Sequence, residues 1–309
     1  MRKSVGERRG EQLDPARRAP HNARREPSIR YAKKTPRRQP GVKIGKQSQR
    51  SSAISSSNEH TILVRGQDLC GELIGHVTFS DHVWLLVTGE RPTPAQRAVL
   101  DAALVSIAEH GLVPSVQAAR MTLAAAPEAL QGAVAAGLLG CGSVILGAAE
   151  AAGRLLADVL TRAASASLSA AAVEVTREHK AAGRHVPGYG HPLHKGHDPR
   201  VARLFEVAAA AGLAGQHIEA ARAVEKALPE VTGKALAMNV SVAIPAVLLD
   251  AGFPLLALKG VPLLARTASL VAHLLEEQTR PIGFALSQAG AAAISYDGPS
   301  PAGFVPGDH

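Results

Sequence analysis

The chain has 309 residues, with 34 Lys/Arg against 26 Asp/Glu, only 3% aromatics and two cysteines. Residues 1–50 hold 16 of the basic and 4 of the acidic residues, a local charge of +12, which leaves the remainder at −4. The body is thus mildly acidic, which argues against a uniformly basic nucleic-acid-binding domain. Cys70 and Cys141 offer neither a disulfide framework nor a metal spacing, and a reducing cytoplasm is the expected compartment.

Residues 1–58 are rich in Arg, Pro, Ser and Gln and poor in large apolar residues, so a disordered basic tail is expected there. Arg pairs such as Arg17-Arg18 and Arg37-Arg38 allow a nucleic-acid or acidic-surface contact, although a solvated tail is the simpler reading and nucleic acid is not expected as a partner. Glu7, Glu11, Asp14 and Glu26 argue against a targeting peptide, and no apolar run follows Met1. Order is expected from about Thr61, with Thr61–Arg65 as a short strand.

Helical patterns then take over. Thr93-Pro94 is a helix start, a hydroxyl cap followed by Pro at the first position. Val99, Leu100, Ala103, Leu104 and Ile107 form its apolar stripe, and it stops at His110-Gly111. Further helices are predicted over 114–125, 128–162, 168–182, 199–212, 216–227, 231–249 and 262–278. The run from Leu130 to Ala149 is uncharged and long enough to span a bilayer, but its glycines suit a close-packed buried helix, so no membrane is expected. Ala235–Leu258 is similarly apolar but is interrupted by Pro245 and Asp250. There is no βαβ alternation and no repeat. The fold class is mostly α.

The least average stretch is Gly188-Tyr-Gly-His191-Pro-Leu-His194-Lys-Gly-His197-Asp-Pro-Arg200. Gly188 and Gly190 let the backbone turn tightly and approach a ligand, which makes them candidate cofactor-binding positions. A dinucleotide fingerprint is rejected because the third glycine and the preceding strand are missing. His185, His191, His194 and His197 lack zinc-helix spacing, and no metal is expected.

This stretch resembles the signature loop of citrate synthases and citryl-CoA lyases, in which Gly-aromatic-Gly precedes a His and an Arg follows nine residues later. His191 and Arg200 keep that spacing. The resemblance runs from Val64-Arg-Gly-Gln-Asp-Leu69 to Arg280-Pro281. It includes Ala108-Glu-His110-Gly with Ser115 and Arg120, the segment from Leu264 through Arg266 to His273, and Gln278-Thr-Arg280-Pro281. The ordered part is short at its N-terminal end, closer to the citryl-CoA lyase type and to the cleavage module of ATP-citrate lyase.

The resemblance implies an enzyme that makes or cleaves a C–C bond between an acetyl-CoA-type thioester and oxaloacetate, with citrate or citryl-CoA on the other side. The thioester is then a substrate and no resident cofactor is expected. It assigns Arg200, Arg266 and Arg280 to carboxylate binding, Arg280 from the partner of a homodimer, a role for which the planar Arg fork is suited. His191 would polarise the keto carbonyl or citryl hydroxyl, and His110 would hydrogen-bond the substrate. A large helical domain is expected from 59–145 and 250–309, with a smaller one at 146–249 closing over the site.

Two departures stand out. Ser241 occupies the place where the family has its catalytic Asp, in Met238-Asn-Val-Ser-Val242. A hydroxyl of ordinary acidity is no base for a thioester methyl group. Asp250 lies nine residues on, about 13 Å along a helix, and is too far to replace it. Ile145 stands where citrate synthases place a His that stabilises the enol. By the resemblance, citryl-CoA lyases and ATP-citrate lyases commonly lack it too, so its absence tilts away from a true citrate synthase. The Ser241 change is the more serious of the two. The alternative reading is therefore a catalytically impaired paralogue, or partner subunit, that binds CoA or citrate.

Overall fold

The computed structural model describes residues 50–142, 146–190 and 197–304. His191, His194 and Ile145 lie outside the described residues. The described residues from Ser52 onward form one compact unit.

The first elements are three short antiparallel strands, β1 (Ser55–Ser57), β2 (Ile62–Val64) and β3 (Gln67–Asp68), in the order β1-β2-β3. Ser56 pairs with Leu63 and Val64 with Gln67. The expected strand is present as β2. The expected start of order is not, because Ser55–Ser57 pair with β2 and so residues 55–57 do not belong to a disordered tail. Of the remaining tail residues, 1–49 lie outside the described residues.

Eleven α-helices follow among the described residues. They are α1 (Phe79–Thr88), α2 (Pro94–Ala108), α3 (Pro114–Ala125), α4 (Leu130–Leu139), α5 (Ala148–Ala163) and α6 (Leu168–Ala181), then α7 (Pro199–Ala210), α8 (Gln216–Thr232), α9 (Val240–Asp250), α10 (Gly260–Thr279) and α11 (Gly283–Ala292). The fold is mostly α, as expected. Thr78 and Thr93 begin α1 and α2 with full capping boxes, closed by Asp81 and Gln96.

Two predicted helices are each broken in two. The 128–162 pattern separates into α4, which ends at Leu139, and α5, which starts at Ala148. At 10 residues α4 is too short to cross a bilayer. Among the described residues only Leu255–Thr279 is long and apolar enough to do so. The 231–249 pattern breaks at Gly233, whose φ of 75° caps α8 in the left-handed region. The chain stays out of helix until Asn239 caps α9.

The helices pack in two groups. α3, α4, α10 and α11 surround a small core of Val116, Ala119, Leu123, Ala133, Leu270 and Leu274. α5, α6, α8 and α9 share the main core, with Leu156, Val224, Leu228, Ile244 and Leu248 at its centre. α2 links the groups, touching α10 on one side and α7 and α9 on the other.

Candidate active site

The non-helical stretch before α9 is held by the Gly-Tyr-Gly segment. Gly190 N donates to Ala237 O, Asn239 N donates to Gly188 O, and Tyr189 forms a bridge with Met238. The Tyr189 hydroxyl donates to Ala221 O, and burial pushes its pKa well above the ordinary value. Gly188 has φ of 88°, and a Cβ there would collide with the Val242 side chain, so this glycine serves packing against α9. Gly190 instead faces a cavity. The Asn239 side chain completes the joint, accepting from Ser241 N and donating to Gly190 O.

His110, Arg200, Ser241 and Arg266 all line one cavity of about 310 Å³, within the usual range for small-molecule sites. Its apolar walls include Ile107, Leu146, Ala149, Val240 and Ile244. The lining draws on the starts of several helices. Val113 caps α3, Ala148 and Ala149 open α5, Arg200 is in the first turn of α7, Val240 and Ser241 open α9, and Pro262 lies in the first turn of α10. Helix N-termini carry partial positive charge, so their convergence with two arginines gives the cavity a positive electrostatic character.

Arg266 is the most telling residue. Its side chain is 2% exposed, and among the described residues its Nε and Nη1 have no hydrogen-bond partner. Nη2 reaches only Ile107 O, at 3.4 Å. A buried guanidinium with unpaired donors is costly unless a ligand completes it.

Arg200 is held differently. Asp198, 1% exposed, accepts from its Nε at 2.9 Å and its Nη2 at 2.8 Å, and from the backbone N of Arg200 and Val240. Burial raises the Asp198 pKa, but these hydrogen bonds and the Arg200 charge outweigh it and hold the group below its ordinary value. Asp198 thus ties the first turns of α7 and α9 together and orients Arg200. The sequence reading did not single it out as a functional residue.

Arg280 is not among the residues that line the cavity. Its side chain is 80% exposed at the end of α10, and its carbonyl accepts from the buried Arg120, which also pairs with Glu276 and Glu277. Asp250 lies at the far end of α9, where it accepts from Gly215, His217 and Ile218 N and pairs with the His217 ring. It caps α8 and takes no part in the cavity.

No carboxylate lines the cavity among the described residues. The two internal stretches outside them, 143–145 and 191–196, contain no Asp or Glu either. The Ser241 hydroxyl has no hydrogen-bond partner among the described residues.

Beside the cavity, Glu109 is clamped by Ser269 Oγ, the Gly111 N–H and His273 Nε2. Burial raises its pKa, but these partners pull it down to about 2. A carboxylate with a lowered pKa stabilises the fold above its ordinary value of 4.5 and loses that contribution as the pH falls through about 2. The side chain is 56% exposed, so the contribution is below about 1 kcal/mol. Glu109→Gln is expected to lower Tm slightly at pH 7, with the gap closing between pH 4.5 and 2, as thermal unfolding across that range would show.

The family model described as citrate synthase, C-terminal domain, matches residues 79–283. Among solved structures, the chain is similar to the citryl-CoA lyase of Hydrogenobacter thermophilus, at 32% identity and TM-score 0.73, covering 83% of this chain and 97% of that one. The ATP citrate lyase of Methanothrix soehngenii, solved with citrate and coenzyme A, matches at 24% identity and TM-score 0.68 over 84% of this chain and 43% of that one. The citrate synthase of Thermotoga maritima matches at 21% identity and TM-score 0.56, over 74% and 60%. None of the curated proteins compared matches the chain. By the span of the family match and by its likeness to citryl-CoA lyase over nearly that enzyme's whole length, the chain belongs to the citrate synthase family.

Proposed function

We propose that the chain makes or cleaves the C–C bond between an acetyl-CoA-type thioester and oxaloacetate, with citryl-CoA as the joined species. The observation that carries this reading is the buried, unpaired guanidinium of Arg266 in a cavity it shares with His110 and Arg200. A polycarboxylate supplies the acceptors that Arg266 lacks, by two parallel hydrogen bonds. His110 donates to the substrate oxygen, His191 acts on the keto carbonyl or hydroxyl, and Arg280 enters from a second copy of the chain. The two helix groups close over the substrate, with CoA supplied as thioester in the cytoplasm. The likeness to citryl-CoA lyase supports the cleavage direction.

The test is oxaloacetate formation from citryl-CoA. The wild type is expected to produce it, and His110→Ala to slow it by about a hundredfold or more, the usual worth of a positioned donor. Absence of oxaloacetate from the wild type would remove the reading.

The missing carboxylate favours one second reading, a binding-only paralogue. Ser241→Asp separates the two. Activity that appears only in the variant marks a competent site without its base, whereas a wild type that already turns over excludes the binding-only role.

A further inference from the structure

Glu109 precedes His110, and its carboxylate is the hub of a polar cluster at the rim of the cavity. One oxygen accepts from the backbone N of Gly111, so the carboxylate closes over the turn that carries His110. Ser269 donates to the other oxygen, and His273 Nε2 lies 3.1 Å from it. Ser269 and His273 stand three and seven positions after Arg266 on α10, which places all three on one stripe of that helix. Arg266 Nη2 meanwhile contacts Ile107 O, at the end of the helix that leads into Glu109.

The 109–111 turn has no helical ladder of its own, since α2 ends at Ala108 and α3 starts at Pro114. Gly111 there has φ of 65°, a left-handed conformation that glycine adopts without strain, and Val113 N donates to its carbonyl. Among the described residues, the His110 ring makes no hydrogen bond that would hold it. Its position relative to Arg266 therefore depends on the neighbouring carboxylate and on the path of the backbone.

We infer that Glu109 is a positioning residue that fixes His110 against Arg266, so that the two act on one substrate as a unit. This rests on the proposed role of the cavity and extends it to a side chain that does not line it. Groups that must meet a substrate together lose steeply when one shifts by about an ångström. The loss of activity on removing Glu109 therefore runs through His110, apart from the small stability contribution of the carboxylate.

The experiment is a double-mutant cycle of Glu109→Ala and His110→Ala, read as kcat and KM for oxaloacetate formation from citryl-CoA and, in parallel, as citrate affinity by calorimetry. Glu109→Ala is expected to lower kcat roughly tenfold to a hundredfold in the wild-type background and to cost almost nothing once His110 is gone. Glu109→Gln, which keeps an acceptor for Gly111 N and a donor for Ser269, is expected to recover most of the loss. Equal losses in both backgrounds, or no loss in either, would overturn the inference while leaving the cavity's role intact. If the wild type binds citrate without turnover, the cycle is read on affinity alone. If it neither turns over citryl-CoA nor binds citrate, the proposed function fails and this inference fails with it.

Discussion

Arg266→Met is expected to leave the ligand-free protein as stable as the wild type, or more stable, while abolishing its response to citrate. The side chain is 2% exposed and leaves two nitrogens without partners among the described residues. A buried guanidinium in that state has lost its hydration and gained little in return. Replacing buried charges by apolar side chains of similar volume is commonly neutral or stabilising by about 1–4 kcal/mol. Met has nearly the length of the Arg stem and suits a cavity whose walls include Ile107 and Ile244. Thermal unfolding with and without citrate measures both sides. At a hundredfold excess over Kd, ligand should raise wild-type stability by about 2.7 kcal/mol and the variant's not at all. A variant that unfolds several degrees earlier than the wild type in the absence of ligand would mean that Arg266 serves the fold.

Asp198→Asn should behave in the opposite way, losing stability and activity together. The wild-type carboxylate accepts four hydrogen bonds, two from the Arg200 guanidinium and one each from Arg200 N and Val240 N. An amide can satisfy some of these donors, but it presents an NH2 to others and leaves the Arg200 charge without its counterion. Breaking one side of a buried pair costs on the order of 3 kcal/mol. Because Asp198 is held below its ordinary pKa, its contribution is complete above about pH 4 and is lost as the pH falls below that. The stability gap between wild type and variant should therefore be widest near neutral pH and shrink in acid, a trend that denaturant titration at several pH values would resolve. The activity loss has a separate cause. Asp198 joins the first turns of α7 and α9, so its loss moves Arg200 and Ser241 apart.

These two residues also show how far the sequence carries. α2 was legible because Thr93 and Pro94 are local signals that act within one turn. α1 has an equivalent signal in Thr78 and Asp81, and the sequence reading passed over it. The break between α8 and α9 was not legible from periodicity. It depends on Gly233 adopting a left-handed conformation and on residues 237–239 pairing with Gly188–Gly190, nearly fifty positions earlier. The 128–162 pattern was overextended for a simpler reason, since an apolar, glycine-rich run gives no period to show where the helix stops.

At the site, His110, Arg200, Ser241 and Arg266 were reached through family resemblance, and the structure brings all four to one cavity. Each taken alone has the composition of a helix end or a core edge. Asp198 and Glu109 could not have been weighed from sequence in the same way. Their functions depend on partners 42 and 160 positions away, Val240 and Ser269. What the sequence did expose is the substitution at Ser241. The cavity around it has no carboxylate among its described lining residues, which makes the proton-transfer step the part of the reaction most open to experiment.

The most direct measurement is a calorimetric titration of citrate into the wild type and Arg266→Met at low ionic strength. The account predicts saturable binding to the wild type and none to the variant. Equal affinity in the two, or no binding to the wild type at millimolar citrate, would contradict the assignment of this cavity to a polycarboxylate substrate.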